Sequence, residues 1–231
     1  MIHRAFVQLL RPGIIVLSED ESKHVQNVLR MNVGDSIDVF DEPGNTARAR
    51  ISRLSKQGVE LEVSDVVAPT KARELTVCSA VAKGERADWV IEKLSELGVR
   101  RFVPIVTRRS VVEPRSGKQE RWKRIAIEAA KQSGRVGVMS ISPPTPLQMV
   151  RIERQCAVLS SERETDIPGP IEWSTLTQIF IGPEGGWEEE ELQWLEGKGG
   201  RRVRLPTPIL RIETACIVAA ALCLCHIPAN Q

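Results

Sequence analysis

The order of apolar and polar residues changes character part-way along this chain. In the first part, short runs alternate apolar and polar positions and are punctuated by glycine and proline. This spacing predicts strands over 4–10, 14–17, 36–40, 47–54 and 59–66. One helix interrupts them, over 21–30, with Val25, Val28 and Leu29 on one face. Strands of this length and spacing suit a small β-barrel. Ala68-Pro69-Thr70-Lys71 reads as a linker and divides the chain into domains at 1–70 and 71–231.

Beyond the linker, strand-length apolar runs alternate with helical periods. Strands are expected over 75–81, 102–106, 156–160, 178–181 and 203–205. Helices are expected over 84–97, 118–133, 188–196 and 214–225, with a weaker one over 147–153. Gly98 is placed to end the first of these helices in the left-handed conformation. Thr214 is a candidate N-cap for the last. The fold class this predicts is α/β, a mainly parallel sheet covered on both faces. Ligands in such sheets bind beyond the carboxyl ends of the strands.

Composition narrows the classes. Hydrophobic residues make up 42% of the 231 residues, so a packed core is expected rather than disorder. The most apolar uncharged stretch, 214–225, is too short for a bilayer span, so no membrane partner is expected. Five scattered cysteines without a C-x-x-C, and only three histidines, argue against a disulfide framework or a structural metal. A reducing, cytoplasmic setting follows as the expectation. Charge is uneven: residues 100–135 carry 11 basic and 3 acidic side chains. That suits a polyanionic partner, although a solvated helix face would look the same. Tyrosine is absent, which disfavours general stacking on single strands and favours a shaped face on folded RNA.

Two segments carry candidate chemistry. In Ile179-Phe180-Ile181-Gly182-Pro183-Glu184-Gly185-Gly186-Trp187, an apolar run enters a glycine-rich loop, and Glu188 to Glu191 open a helix. Four glutamates there would repel a phosphate group, so the loop is expected to approach a neutral or cationic ligand through its backbone. S-adenosylmethionine fits that description. A plain strand-to-helix turn fits as well. The four glutamates read as a solvated helix start. In the second segment, Leu205-Pro206-Thr207-Pro208-Ile209-Leu210-Arg211-Ile212-Glu213-Thr214-Ala215, two prolines keep the loop non-helical. Arg211 and Glu213 stand beside an apolar segment, either as a structural pair or with Arg211 holding an anionic group. Cys223 and Cys225 are expected to pack as small hydrophobes on the last helix.

Taken in order, several motifs resemble one family. They are His24, Val28-Leu29-Arg30-Met31 and Gly34-Asp35, then Val39-Phe40-Asp41, Lys83-Gly84-Glu85-Arg86, Glu92-Lys93 and Glu96-Leu97-Gly98-Val99. Arg109-Ser110-Val111-Val112, Glu128-Ala129-Ala130 with Gln132-Ser133-Gly134-Arg135, and the two loop segments complete the set. The chain is similar, from about residue 3 to 225, to the RsmE-type 16S ribosomal RNA uracil-N3 methyltransferases of the SPOUT superfamily.

The resemblance implies a PUA-like β-barrel followed by a SPOUT domain with a deep trefoil knot. It implies a homodimer and methyl transfer from S-adenosylmethionine to N3 of one uridine in the 16S rRNA of the 30S ribosomal subunit. Carried over, Gly182, Pro183, Glu184, Gly185 and Gly186 form one cofactor loop. Leu205, Ile209, Leu210, Thr214 and Ala215 form a second, and Leu159 and Ser161 a third. Arg211 and Glu213 take catalytic roles, Arg211 steadying charge and Glu213 accepting a proton. Arg30, Lys83, Arg86, Arg108, Arg109, Lys131, Gln132 and Arg135 are expected to touch RNA. One departure stands out: the family reads Leu-Gly-x-Arg-Ile-Leu-Arg where this chain has prolines at 206 and 208. A SPOUT enzyme with another RNA target or methylated atom, an RNA-binding homologue without catalysis, and a small-molecule methyltransferase, which would leave the basic stretch and the barrel without a role, are the alternatives.

Overall fold

The computed structural model describes residues 3–70, 74–111, 116–160, 171–205 and 207–225. The chain forms two compact units. The first is Met1–Ala72 together with Ile127–Val138, and the second is Arg73–Ala126 together with Met139–Gln231. The linker at 68–71 therefore marks only one of the crossings between them.

The first unit is built on β1 (Arg4–Phe6), β2 (Gly13–Val16), α1 (Glu19–Lys23), β3 (Ser36–Phe40), β4 (Thr46–Ser55) and β5 (Gly58–Val63). They form one sheet in the order β1-β3-β4-β5-β2, with β1 parallel to β3 and the other pairs antiparallel. No ladder joins β1 to β2 among the described residues, so pairing does not close the expected barrel. The period-two pattern holds along β4, where Ala47, Ala49 and Ile51 face the core while Arg48 and Arg50 face solvent. The helix expected over 21–30 is instead α1 followed by a π-helical turn, His24–Val28. The Leu29 amide bonds the His24 carbonyl five residues back, 3.0 Å away. The wider turn keeps Val25 in the core but leaves Val28 66% exposed.

The second unit contains β6 (Thr76–Ser79), α2 (Arg86–Leu97), β7 (Arg101–Val106), α3 (Ser116–Ser133), β8 (Ser140–Ile141), β9 (Thr145–Pro146), β10 (Cys156–Leu159), β11 (Gln178–Ile181), α4 (Glu189–Gly197), β12 (Arg201–Val203) and α5 (Ile212–Leu224), the last turns of α3 belonging to the first unit. The sheet runs β12-β10-β11-β6-β7-β8, all parallel, with β9 pairing separately beside β7. β6 and β11 are buried along their whole length, as a sheet covered on both faces requires. Gly98 ends α2 at φ 92°, in the left-handed region expected of it.

Several boundaries differ from the sequence pattern for identifiable reasons. The helix expected over 147–153 is only a 3-10 turn, Leu147–Met149. Buried Gln178 accepts from the Glu153 amide at 2.8 Å and donates to the Arg151 carbonyl at 3.0 Å, which holds that backbone away from a helix. α5 begins at Ile212 with Arg211 as its N-cap residue, so Thr214 lies inside the helix rather than capping it. Cys223 is buried as expected, but Cys225 lies past the helix end and is exposed.

Candidate functional site

The strand register determines where the loops meet. Leu159 at the end of β10 pairs with Ile181 at the end of β11 and with Val203 at the end of β12. The three following loops therefore leave the sheet side by side. Their described residues, Leu159 and Ser160, 181–187, and 204, 205 and 207–212, line a cleft of about 710 Å³, within the size range of small-molecule sites. Of the residues expected to hold a cofactor, Leu159, Gly182 to Gly186, Leu205, Ile209, Leu210 and Ala215 line it. Thr214 does not, and Ser161 lies outside the described residues.

The glycine loop is shaped by a tryptophan. The Trp187 indole N–H donates to the Leu159 carbonyl at 2.8 Å, tying the second loop to the first. A Cβ on Gly182 would stand 2.8 Å from the Trp187 ring, so no larger residue fits while that ring holds its place. Gly186, at φ 75°, closes a turn in which its amide bonds the Pro183 carbonyl at 2.9 Å. Gly185 lies against the Arg109 side chain, whose Nη1 donates to the Gly185 carbonyl at 2.8 Å.

The charge on this loop departs from the sequence expectation. The glutamates that open α4 are only partly the solvated run expected: Glu189 and Glu190 are exposed, Glu188 is half-buried and Glu191 is buried. Glu188 and Glu191 form a reciprocal capping box, and Glu191 is buried, accepting from the Arg108 amide at 2.9 Å. Glu188 pairs with Arg109 at 2.6 Å, Glu190 with Arg108, and Glu189 with Arg202 at 3.0 Å. Their charges are met by arginines distant in sequence. Glu184 remains on the cleft, beside Arg86, Arg109, Arg204 and Arg211. The cleft is thus richer in cations than the loop sequence alone implies. Cys216, which does not line the cleft, is buried against the Ser79 hydroxyl at 3.2 Å, and burial pushes its thiol up to about 12.

This arrangement has known counterparts. A family model described as an RNA methyltransferase domain matches residues 69–224, and an RNA methyltransferase PUA domain matches 17–64. The ribosomal RNA small subunit methyltransferase E of Bacillus subtilis is 31% identical, over 94% of this chain and 94% of that protein. The chain belongs to the ribosomal RNA small subunit methyltransferase E family. A family structure from Neisseria gonorrhoeae, bound to S-adenosyl methionine, superposes with a TM-score of 0.80 at 29% identity, covering 96% of each chain. A methyltransferase from Legionella pneumophila with bound cofactor SAM gives a TM-score of 0.77 at 28% identity, again over 96% of each chain.

For a member of the methyltransferase E family, the residues expected to touch RNA are unequally free. In the second unit Lys83 is exposed, Arg86 is half-buried in the cleft wall, and Arg108 and Arg109 are engaged with the α4 glutamates. In the first unit Arg30 and Gln132 are exposed, and Arg30 holds a left-handed φ of 53°. Lys131 is not a free cation: its ammonium pairs with Glu21 at 2.9 Å, and the two side chains are 7% and 9% exposed. Arg135 is half-buried, and its carbonyl accepts from Arg4 at 2.9 Å. Glu213 does not line the cleft; its Oε1 lies 3.5 Å from Arg86.

The sequence reading missed Ser160, Trp187, Arg204 and Thr207, all on the cleft wall. Only Trp187, directly after the glycines, carried a usable signal. The lining suits S-adenosylmethionine: glycine backbone, apolar Leu159, Leu205 and Leu210, and a buried Thr207 hydroxyl that has no hydrogen-bond partner among the described residues. Among the described residues no cluster of His, Cys, Asp or Glu could hold a metal ion, and no helix is long and apolar enough to cross a membrane.

Proposed function

We propose that this chain transfers a methyl group from S-adenosylmethionine to N3 of one uridine in the 16S rRNA of the small ribosomal subunit. The observation that carries the reading is the cleft. Three adjacent parallel strand ends and the described residues beyond them border a space lined by glycine backbone, apolar side chains and arginines, in a chain of this family. The cofactor supplies the methyl on a sulfonium, so the N3 electron pair takes the methyl while the carbon–sulfur pair stays on sulfur.

The protein's own residues bind and orient. The backbone of Gly182 to Gly186, with Leu205 and Leu210, holds the cofactor, and Trp187 keeps the first two loops in register. Arg211, at the N-cap of α5, steadies negative charge on the uracil. Arg30, Lys83, Arg108, Gln132 and Arg135 engage the RNA backbone. Lys131 is left out because its ammonium is buried as well as paired, whereas Arg108 stays exposed beside Glu190. The same reading includes a trefoil knot in the 71–231 domain, a homodimer that completes the site, and action in the cytoplasm.

The test is direct. Purified protein, S-adenosylmethionine and 30S subunits lacking the modification are incubated, and the rRNA is mapped by primer extension and mass spectrometry. One N3-methyluridine is expected. No transfer, with a related enzyme active in parallel, refutes the proposal, and methyl on another atom refutes its regiochemistry.

A further inference from the structure

The packing of α2 against α5 brings Arg86, in the first turn of α2, to Glu213, in the first turn of α5. Arg86 Nη1 lies 3.5 Å from Glu213 Oε1 and 3.5 Å from Glu184 Oε1 on the glycine loop. Both separations are long for hydrogen bonds, and the guanidinium side chain is 40% exposed on the cleft wall. Two carboxylates hold it from two sides while its fork of five N–H donors keeps capacity for another acceptor.

Glu213 is placed differently. Its side chain is only 9% exposed, it does not line the cleft, and its second oxygen is buried without a hydrogen-bond partner among the described residues. A proton acceptor has to reach the atom it deprotonates, directly or through one water. Arg86 stands on the cleft wall, whereas Glu213 touches Arg86 and is not part of the lining. The other charged groups on that wall are Glu184, Arg204, Arg211 and Arg109, the last tied to Glu188.

Resting on the uracil reading above, we infer that Arg86 is a catalytic residue and Glu213 a positioning residue that aims it, rather than the general base. Loss of the N3 proton places negative charge on the neighbouring uracil carbonyl oxygens, and the Arg86 guanidinium hydrogen-bonds one of them. The proton passes to hydroxide from solvent: the N3–H bond and hydroxide become an N3 anion and water. The pair left on N3 is the one that takes the methyl. No carboxylate is needed to carry the proton away.

The test is the pH dependence of single-turnover methyl transfer by wild type, R86Q, R86K and E213Q. The wild-type rate is expected to rise with pH to a plateau. R86Q should lose roughly a hundredfold near neutrality, the usual cost of one oxyanion donor. Its rise should move to higher pH, so that the gap closes in alkali, and R86K should recover part of the loss. In E213Q the amide oxygen still accepts from Arg86, so the loss should stay within roughly tenfold at every pH, with the inflection where wild type has it. Cofactor affinity, measured by calorimetry without RNA, should stay within roughly threefold for all of them.

An E213Q enzyme inactive at all pH values beside an R86Q enzyme with the wild-type profile would return the proton to Glu213 and overturn the inference. So would an R86Q protein that no longer binds S-adenosylmethionine. A wild-type protein that methylates no RNA would fail at the earlier step, and would refute the uracil reading before any variant is compared.

Discussion

Replacing Gly182 with alanine isolates one contact on which the cleft depends. Gly182 does not use a left-handed φ, so the constraint is steric. The added Cβ would sit 2.8 Å from Trp187 Cε2 and Nε1. Ordinary carbon contacts lie at roughly 3.5–4.0 Å, so the ring has to retreat by about 1 Å. That retreat stretches the indole bond to the Leu159 carbonyl, now 2.8 Å. Losing it costs about 1 kcal/mol net, and crowding of this kind adds about 1–3 kcal/mol. Because the displaced groups form the cleft wall, part of this cost appears as weaker cofactor binding. With tenfold for every 1.4 kcal/mol, G182A should bind S-adenosylmethionine roughly 10- to 100-fold more weakly by calorimetry. The double variant G182A/W187A should be no worse than W187A alone, since removing the ring removes the clash. A G182A protein that binds within about twofold of wild type would refute the steric argument.

Two further outcomes are expected. Lys131→Met leaves Glu21 buried and unpaired in the first unit, which should lower stability by about 3 kcal/mol in urea unfolding, and adding E21Q should recover part of it; an unchanged midpoint for K131M would show that the ion pair contributes nothing. Burial pushes the thiols of Cys78 and Cys216 up to about 12 and that of Cys156 up to about 11, from 9.0. The folded state therefore keeps protons that the unfolded chain releases. The stabilisation is complete below pH 9 and is lost progressively as pH rises from 9 towards 12. Iodoacetamide on native protein at pH 8 should label exposed Cys225 alone, and rapid uptake of a second label by mass spectrometry would contradict this burial.

What was readable in the sequence was local. β3 and β11 match the apolar pattern residue for residue, and the glycine loop lies between a strand and a helix as its composition requires. What was not readable depends on partners far along the chain. Glu188 and Glu191 look as solvated as Glu189 and Glu190 until Arg109 and Arg108, some eighty positions away, fold against them. Lys131 looks like part of a basic helix face until Glu21 buries its charge. Val28 fits a helical period, but one π turn shifts it into solvent. Arg86 and Glu213 carried charge in the sequence without any sign that one would line the cleft and the other would be buried against it outside that lining.

The handover within α3 has a bearing on how this chain comes into being. Its last turns, and the chain after it through Val138, belong to the N-terminal unit. There Arg4 donates to the carbonyls of Ala130 and Arg135, and Gly44 and Gly137 meet with so little space that a Cβ on Gly137 would stand 3.2 Å from the Glu42 carbonyl oxygen. A ribosome that has released only the first 72 residues has made a sheet that still lacks a wall. That wall arrives after the first strands and helix of the second unit have emerged, so the N-terminal unit finishes folding only once its neighbour has begun. A protease cut at the linker would likewise sever one of the three connections between the units and leave the other two intact.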